Sequence, residues 1–527
     1  MGDSLLHTTF DPALLDALKE VRPRLKLCGP LRILVVVDGG IGLGGGFGVG
    51  RVVEILRDTT RGWVDFEVDT LHRSAATFND ALLNKYHQLW LFGIEGGNGA
   101  LSGAEQAALL KWMNERQGGV FATGDHEDLG AALCRQVPRV GTMRRWTAAQ
   151  NVPPIGGPNR IDTNRPGTAA QRPPTYALMP DSVQSDAEPQ RIQWVAWMRS
   201  GGPIFRWEAP HPVLCHPTLG PIDVMPDHPH EGRCFDTAPG SFEVDVSSAS
   251  EYPTKAGVRP LPTVIAYGTT LPGPPYQFAK GASPAKRFPM ISVYDGQQIG
   301  VGRVVVDSTW HHWMGMNIDT IEATAGAPGA SAAAVANWQK IRQYFINIAV
   351  WMATAHQRRC MARWYLSTAH FGYVGQEEFR PNASLLELGI AWRNHLWPLL
   401  GACWVRQFVF DLVQEVRPAL RDWLAHEYLE VPELPPHGPG PQCLSCPPWE
   451  VFEAMVLGGV VRASMKAHAG ALDQFRSRQP IKLPADDKTE ARIFLEGAAD
   501  GLTAFGDALQ ADLQRFKPTL AALKARA

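Results

Sequence analysis

The feature that most constrains the fold is a continuous apolar run rich in β-branched residues, at residues 31–37 (LRILVVV). Such a run is typical of a strand that is buried on both faces of a parallel sheet. It leads into a loop with eight glycines between residues 39 and 50, and helical spacing of apolar residues resumes at residues 51–57. The sequence therefore predicts strand, glycine loop and helix in that order.

Further strands are predicted to continue this alternation. Three apolar segments follow, at residues 64–68, 88–92 and 119–123. A helix between the last two is predicted to begin with a capping box formed by Ser102 and Glu105. Because parallel neighbours need a crossover connection, the alternation favours an α/β fold with a doubly wound, mostly parallel sheet.

The regular pattern is interrupted by a long irregular insert. Residues 146–260 hold 18 of the 42 prolines, which predicts a small irregular subdomain or a lid. Strand-like segments return at residues 262–267, 290–294 and 302–307, and we expect them to complete the sheet, with the insert at its edge.

The chain then becomes helical. An Ala/Gly/Pro-rich linker at residues 323–336 is followed by apolar residues at helical spacing, and a second Pro-rich break lies at residues 431–448. The predicted division is an N-terminal helical segment at 1–30, an α/β domain at 31–145 and 261–322, an insert or lid at 146–260, a helical domain at 337–430 and C-terminal helices at 449–527.

Composition excludes several classes of protein. Lys and Arg total 50 and Asp and Glu total 52, which gives a net charge of −2 and disfavours nucleic-acid binding. The most apolar window, residues 396–413, is shorter than the roughly 20 residues that a membrane span needs, and it predicts a buried helix. Eight scattered cysteines and an N-terminus without a leader pattern favour a cytoplasmic protein with reduced thiols.

The glycine loop is a candidate cofactor site. Gly40, Gly42 and Gly45 satisfy the G-x-G-x-x-G spacing after a strand, where backbone amides and a helix N-terminus can hold a phosphate. Asp38 ends the preceding strand and could be a ligand or a cap. The alternative is a flexible loop over the sheet edge, and a nucleotide-binding oxidoreductase is the third functional hypothesis.

A second candidate site follows the strand at residues 119–123. Asp125, His126, Glu127 and Asp128 lie in the turn after it, where ligands bind in open α/β sheets. His126 could serve in acid–base catalysis or bind a cation. Alternatively, Asp125 caps the next helix and the other carboxylates interact with its dipole.

The insert carries the densest group of histidines. In the segment PDHPHEG, an extended backbone would project His228 and His230 to the same side, with Asp227 or Glu231 as an oxygen ligand. Nitrogen and oxygen ligands of this kind suit zinc. Structural loop histidines are the alternative, and Cys443 and Cys446 form a lone C-x-x-C that is either a zinc or redox pair or two loop cysteines.

The last predicted strand also ends in histidine. The segment GRVVVDSTWHHW places Asp307, Ser308, His311 and His312 at the same sheet edge as His126, if the predicted topology holds. A Ser308–His311–Asp307 triad can be drawn, but no G-x-S-x-G motif supports it.

The segments LWLFGIEGG, LSGAEQAALLKWMNERQGGVFATGDH and GRVVVDSTWHH together resemble the trehalose-utilisation (ThuA-like) family. The resemblance covers roughly residues 31–145 and 260–320. It implies a fold like that of class I glutamine amidotransferases, with His126 and His311 at the matching positions. The nearest thiol, Cys134, lies within the following helix, and no Glu follows His311 or His312 two residues later, so glutamine hydrolysis by a cysteine nucleophile is disfavoured.

These features combine into a first hypothesis of a metal-dependent hydrolase with a small polar substrate. His126, His228, His230 and His311 would meet at the sheet edge around Zn²⁺, and Glu127 or Glu231 would take a proton from water. The second hypothesis is a non-catalytic ligand-binding or scaffold protein. Its helices would engage partner chains or form a homo-oligomer through the long apolar stripe at the C-terminus.

Overall fold

The computed structural model describes residues 29–39, 42–59, 64–94, 99–124, 129–146, 189–200, 207–227, 232–235, 251–270, 286–371, 380, 382–420, 449–470 and 487–526. These residues fall into two compact units. The sheet unit comprises Pro30–Ala196 and Pro210–Ala355, and the helical unit is formed chiefly by Trp197–Ala209 and His356–Ala527.

The sheet unit is built on an eight-stranded sheet with the order β2-β1-β3-β4-β14-β13-β12-β6. Its strands are β1 (Leu31–Val37), β2 (Phe66–His72), β3 (Gln88–Gly93), β4 (Gly119–Gly124), β6 (Gln193–Trp194), β12 (Thr263–Thr270), β13 (Lys286–Tyr294) and β14 (Val304–Asp307). The five strands from β2 to β14 are parallel to one another, and β13, β12 and β6 continue the sheet as antiparallel strands. The mostly parallel α/β sheet predicted from the sequence is confirmed.

Helices cover both faces of this sheet. They are α1 (Gly50–Arg57), α2 (Asp80–Leu83), α3 (Gly103–Glu115), α4 (Ala131–Cys134), α5 (Gly315–Gly326) and α6 (Ala332–Trp351). The predicted capping box begins α3, where Ser102 and Glu105 each bond the other's backbone N–H. On one face α3 and α4 bury Leu109, Trp112 and Leu133 against alternate residues of the strands. On the other face, aromatic residues near α5 and on α6 pack against Trp90 and Phe121.

The helix α6 belongs to the sheet unit. The linker predicted at residues 323–336 contains the end of α5 and the start of α6, so that only residues 327–331 connect the two helices. Phe345 of α6 packs 5.0 Å from Trp313, and the Gln88 side-chain amide donates to the carbonyl of Ala349. The sheet unit therefore extends to Ala355, beyond the boundary predicted at residue 337.

The described parts of the insert contribute short strands, four to the sheet unit and two, which fall almost entirely within Trp197–Ala209, to the helical unit. These are β5 (Gln190–Arg191), β7 (Ala196–Ser200), β8 (Trp207–Pro210), β9 (Cys215–His216), β10 (Gly220–Pro221) and β11 (Val224–Met225). Within the insert, β6 pairs with β12 and forms the edge of the main sheet, as expected from the sequence. Asn347 of α6 donates to the carbonyls of Val213 and Cys215, which ties this part of the insert to the helix.

The helical unit contains α7 (Ala355–Phe371), α8 (Leu385–Leu400), α9 (Ala402–Val416), α10 (Trp449–Ala467) and α11 (Asp487–Arg526). The single buried helix predicted at residues 396–413 is wrong, because Gly401 at φ +87° separates α8 from α9. In the described part of the chain, no helix combines the length and apolarity that crossing a membrane requires.

The cysteines only partly follow the sequence-based expectation. Cys134, Cys215, Cys234 and Cys403 are buried and are not in disulfides, but Cys360 is disulfide-bonded. Structural disulfides are uncommon in reducing compartments. The disulfide at Cys360 therefore does not agree with the expectation that all thiols are reduced.

Candidate functional site

The candidate site lies at the carboxyl edge of the parallel strands. β4 and β14 are adjacent and parallel, and their register places Thr123 opposite Asp307. The ends of the two strands that precede the predicted histidine turns are therefore neighbours. In α/β sheets this edge is where ligands bind.

The turn after β14 holds His311 against a buried carboxylate. A short 3₁₀ helix, Trp310–Trp313, begins where the Thr309 side chain accepts from the His311 backbone N–H. His311 Nδ1 lies 2.9 Å from Asp227 Oδ2, and Asn317 Nδ2 donates to the same oxygen at 2.7 Å. Asp227 is buried, whereas the His311 side chain keeps 15% of its surface exposed. When an imidazole donates from Nδ1 to a carboxylate, Nε2 is the nitrogen that can act as a base or as a metal ligand.

The neighbouring His312 belongs to a different, fully buried group. His312 Nδ1 lies 2.9 Å from both carboxylate oxygens of Asp307, and the Tyr344 hydroxyl donates to Asp307 Oδ2 at 3.0 Å. Burial, together with the carboxylate of Asp307, raises the pKa of Tyr344 well above its usual value, so the phenol stays protonated and can donate.

The triad drawn from Ser308, His311 and Asp307 is not formed. Asp307 bonds His312, while His311 bonds Asp227. Within the described residues the Ser308 hydroxyl has no hydrogen-bond partner. Consecutive residues in a 3₁₀ helix point about 120° apart, so only one of the two histidines can face Asp307.

The described ends of the PDHPHEG segment both touch the end of β14. At its start, Asp227 bonds His311. At its other end, a side chain at Gly232 would collide with the Ser308 carbonyl and with the Arg144 guanidinium. Arg144 Nε in turn donates to that carbonyl at 2.9 Å, and the Cys234 backbone N–H donates to the carbonyl of Pro289. The insert thus returns to the sheet edge where β4 and β14 end.

Several predicted site residues lie outside the described residues. They are Asp125, His126, Glu127 and Asp128 after β4, and His228, His230 and Glu231 in the insert. Among the residues that are described, no group of three or more His, Cys, Asp or Glu side chains could hold a metal ion. The roles of these seven residues therefore stay predictions.

The glycine loop packs against the N-terminus of α5. The backbone N–H groups of Gly315 and Met316 donate to the carbonyls of Gly48 and Gly46 at 2.9 and 2.8 Å. Gly45 has φ +80° and Gly42 lies near Gly44, whereas Gly40 is outside the described residues. The loop carbonyls thus satisfy amides at a helix N-terminus, where an anion would otherwise bind.

Asp38 has a structural role that is visible in the described part of the chain. Its side chain is buried, and Oδ1 accepts from the backbone N–H of Ile94 at 2.7 Å. This contact joins the ends of β1 and β3. Asp38 therefore has a structural role at the ends of these strands, and a role in binding a ligand stays a prediction.

Asn317 and Tyr344 were not predicted as members of the site from the sequence. Asn317 lies in the first turn of α5 and Tyr344 in the middle of α6, and both are buried polar residues on otherwise apolar helix faces. A buried polar residue usually has a hydrogen-bond partner, so their position on an apolar face was the available signal.

Comparison of the chain with protein-family models, with curated proteins and with solved structures gives no match.

Proposed function

We propose that the chain is a ThuA-like hydrolase, with an amidotransferase-like sheet, that uses His311 and Asp227 to activate water at the carboxyl edge of the sheet. The observation that carries the proposal is the 2.9 Å contact of His311 Nδ1 with the buried Asp227, which Asn317 also bonds. A partly exposed imidazole paired with a buried carboxylate is the arrangement that general bases share in many hydrolases.

Each of the three side chains has a distinct task in this mechanism. His311 Nε2 takes a proton from the attacking water and later returns it to the leaving group. The Asp227 carboxylate holds the imidazole by Nδ1 and stabilises the imidazolium that forms, because opposite charges attract strongly where water is excluded. Asn317 is a positioning residue, since its amide fixes Asp227 Oδ2 at 2.7 Å.

In an alternative form of the mechanism, His311 Nε2 would bind a metal instead of acting as the base, and Glu127 would take the proton from water. Histidines that bind metals commonly donate their other ring nitrogen to a carboxylate, as His311 does to Asp227. His126, His228, His230 and Glu231 would complete the ligand set for Zn²⁺. A zinc ion bound there would lower the pKa of water toward neutrality.

A cysteine nucleophile is disfavoured by the environment of the nearest thiol. Cys134 is buried in α4, and its Sγ donates to the carbonyl of Thr123 at 3.7 Å. Burial and the nearby charge of Asp38 raise the pKa of Cys134 well above its usual value. Because the thiolate is the reactive form, this thiol is a poor nucleophile at neutral pH.

Replacing either member of the pair should abolish most hydrolysis. In Asp227→Asn and His311→Ala, we expect kcat to fall by about 10²–10⁴-fold, because the general base is misoriented or lost. The measurement uses the full chain with a panel of p-nitrophenyl esters, phosphate esters and primary amides, together with elemental analysis of the purified protein for zinc.

His87→Ala is the matched control for this experiment. His87 precedes β3 at the opposite edge of the sheet, where its Nδ1 accepts from the backbone N–H of Arg32. Its replacement should leave kcat unchanged. Equal loss in all three variants, or activity that survives in Asp227→Asn and His311→Ala, would contradict the proposal, as would a wild-type chain that hydrolyses nothing in the panel.

A second function, self-association through α11, is supported by an exact 11-residue repeat. Leu502, Phe505 and Leu509 recur as Leu513, Phe516 and Leu520. The first set faces α10, where Phe505 lies 5.2 Å from Phe452, whereas Leu513 and Phe516 are 65% and 61% exposed. Eleven residues make about three helical turns, so both sets share one face.

The charges of α11 favour a second copy in antiparallel orientation as the occupant of this face. Asp507 and Asp512 precede the exposed pair, whereas Arg515, Lys517, Lys524 and Arg526 surround or follow it. An antiparallel pair of these helices places the acidic part of each opposite the basic part of the other.

Light scattering on the full chain should therefore give twice the mass of one chain. Leu513→Glu and Phe516→Glu should each give a single-chain mass, because a charge would be buried in the helix pair. Ala511→Glu, which changes a residue on the opposite side of α11, should keep the mass of two chains. If the wild type has the mass of one chain, self-association is ruled out, while the hydrolase proposal is unaffected.

A further inference from the structure

The glycine loop presents a phenylalanine to solvent in a fixed position. Phe47 is 59% exposed. The residues on either side of it are tied down, because the carbonyls of Gly46 and Gly48 accept from the backbone N–H groups of Met316 and Gly315. A side chain at Gly46 would press against Met316, so glycine permits this close approach.

Phe47 lies beside the candidate site. Its ring centroid is 6.3 Å from that of Trp310, and the Trp310 ring is 5.2 Å from the His311 imidazole. Trp310 is nearly buried and rests on Ile94 and Met314, which form a small apolar cluster at the end of β3. The exposed ring of Phe47 is therefore joined to His311 through the buried ring of Trp310.

Met316 extends the same apolar surface. It is 40% exposed, and its side chain lies against Gly46, next to Phe47 in the chain. Single apolar residues on a surface are common, but Phe47 and Met316 are neighbours beside a His–Asp pair and form one apolar patch. Methionine and aromatic side chains together adapt well to flat apolar ligands.

The surroundings of the loop disfavour a phosphate ligand. The amides of Gly315 and Met316 at the start of α5 are satisfied by loop carbonyls. Arg51, in the first turn of α1 after the loop, is engaged by Glu54, Asp319 and Glu322. The first amides of α5 and the guanidinium of Arg51 are thus already used within the protein.

We propose that Phe47 and Met316, with the nearly buried ring of Trp310 packed against Phe47, form an apolar lip that binds an aryl group of the substrate next to the bond that His311 hydrolyses. An aryl group is the expected ligand because aromatic rings prefer offset or edge contacts with other rings. This inference deepens the proposed function and rests on it, because the aryl compound is a substrate only if the chain is a hydrolase. Binding of the aryl group itself does not require His311.

The test compares phenylacetamide with acetamide as probes that share one amide and differ by a phenyl group. Saturation-transfer NMR on the full chain should detect phenylacetamide and give a dissociation constant at least about tenfold lower than that of acetamide. Phe47→Ala should raise the dissociation constant of phenylacetamide about tenfold. Phe47→Tyr should keep the wild-type value because the ring is retained.

Leu261→Ala is the matched control, since it deletes another exposed apolar side chain of the sheet unit, 40% exposed, that lies outside the lip. It should bind phenylacetamide as the wild type does. Equal affinity for the two amides, or wild-type affinity in Phe47→Ala, overturns the lip. Circular dichroism of each variant shows whether a loss of binding reflects unfolding.

The His311→Ala variant separates this inference from the proposed function. If it binds phenylacetamide normally while the wild type hydrolyses no ester or amide, the lip stands and the hydrolase proposal fails. If hydrolysis depends on His311 but aryl and acetyl substrates have equal kcat/KM in the wild type and in Phe47→Ala, the lip fails and the hydrolase proposal stands.

Discussion

Replacement of Trp313 by alanine should lower the free energy of unfolding of the sheet unit by about 3–5 kcal/mol, because a large, completely buried ring leaves a cavity. Trp313 follows the two histidines of the site and contacts aromatic rings of two strands, β3 and β4, and of one helix, α6. The centroids within 6 Å of it are those of Trp90, Phe92, Phe121, Tyr344 and Phe345.

Native-state amide hydrogen exchange in β3 and β4 measures this loss, since these central strands open only when the unit unfolds. Trp313→Phe keeps a ring in the cluster and should cost less than alanine. Leu261→Ala, which removes an exposed side chain of the same unit, should change stability by less than about 0.5 kcal/mol. If Trp313→Ala is no more destabilising than Leu261→Ala, the packing of these rings does not stabilise the sheet unit.

The same residue links stability to the candidate site. Trp313 anchors the short 3₁₀ helix, and one turn of that helix carries both His311 and His312. A turn that is fixed by packing at one end and by the Thr309 cap at the other gives His311 little freedom to move away from Asp227. Rigid placement of this kind is what general-base catalysis requires.

The parallel part of the fold was predictable because its signals are local. The apolar run that became β1, the Ser102–Glu105 capping box and the strand ending at Asp307 all appear in the structure at nearly the predicted positions. Each depends on residues that are close in sequence, and continuous apolar runs with β-branched residues have few alternatives to a buried strand.

The boundary of the sheet unit was not predictable in the same way. The helix α6 has apolar residues at helical spacing, which is equally typical of a helix in a bundle and of a helix on a sheet. Its assignment depends on Phe345 packing against Trp313, a contact between separate elements. Similarly, Gly401 divides an apolar window that read as one helix, because its φ of +87° is visible only in the structure.

The sequence predicted where in the fold the candidate site lies, but it did not predict which side chains form hydrogen-bonded pairs there. From the sequence we expected His311 at the end of a strand and Asp227 in the insert. We interpreted Asp227 as a metal ligand and Asp307 as the partner of His311. The structure exchanges these partners, since Asp227 bonds His311 and Asp307 bonds His312. Pairing across 84 residues depends on how the insert returns to the sheet, which no local pattern encodes.

A buried histidine in the insert should make the sheet unit sensitive to acid. His211 lies directly before the 3₁₀ turn Pro212–Leu214, accepts from the Val213 backbone N–H through Nδ1 and packs 4.8 Å from the Trp351 ring. Burial, with a smaller contribution from the positive charge of Arg303, lowers the pKa of His211 to about 3. The folded state thus keeps this imidazole neutral.

The direction of the pH effect follows from proton binding. Between about pH 6.5 and pH 3 the unfolded chain binds a proton at His211 that the folded chain does not, so stability falls as the pH falls. Each unit between the two pKa values is worth about 1.4 kcal/mol. From pH 6.5 to pH 4, His211 alone should therefore remove about 3 kcal/mol from the free energy of unfolding.

Urea unfolding at a series of pH values between 4 and 7.5 tests this effect when wild type and His211→Asn are compared. Asparagine can still accept from the Val213 backbone N–H but does not titrate, so its loss of ring packing lowers stability equally at every pH. The wild type should therefore lose about 3 kcal/mol more than the variant on acidification from pH 6.5 to pH 4. Parallel curves would mean that His211 is protonated in the folded state, and the insert would then have to admit water beside Trp351.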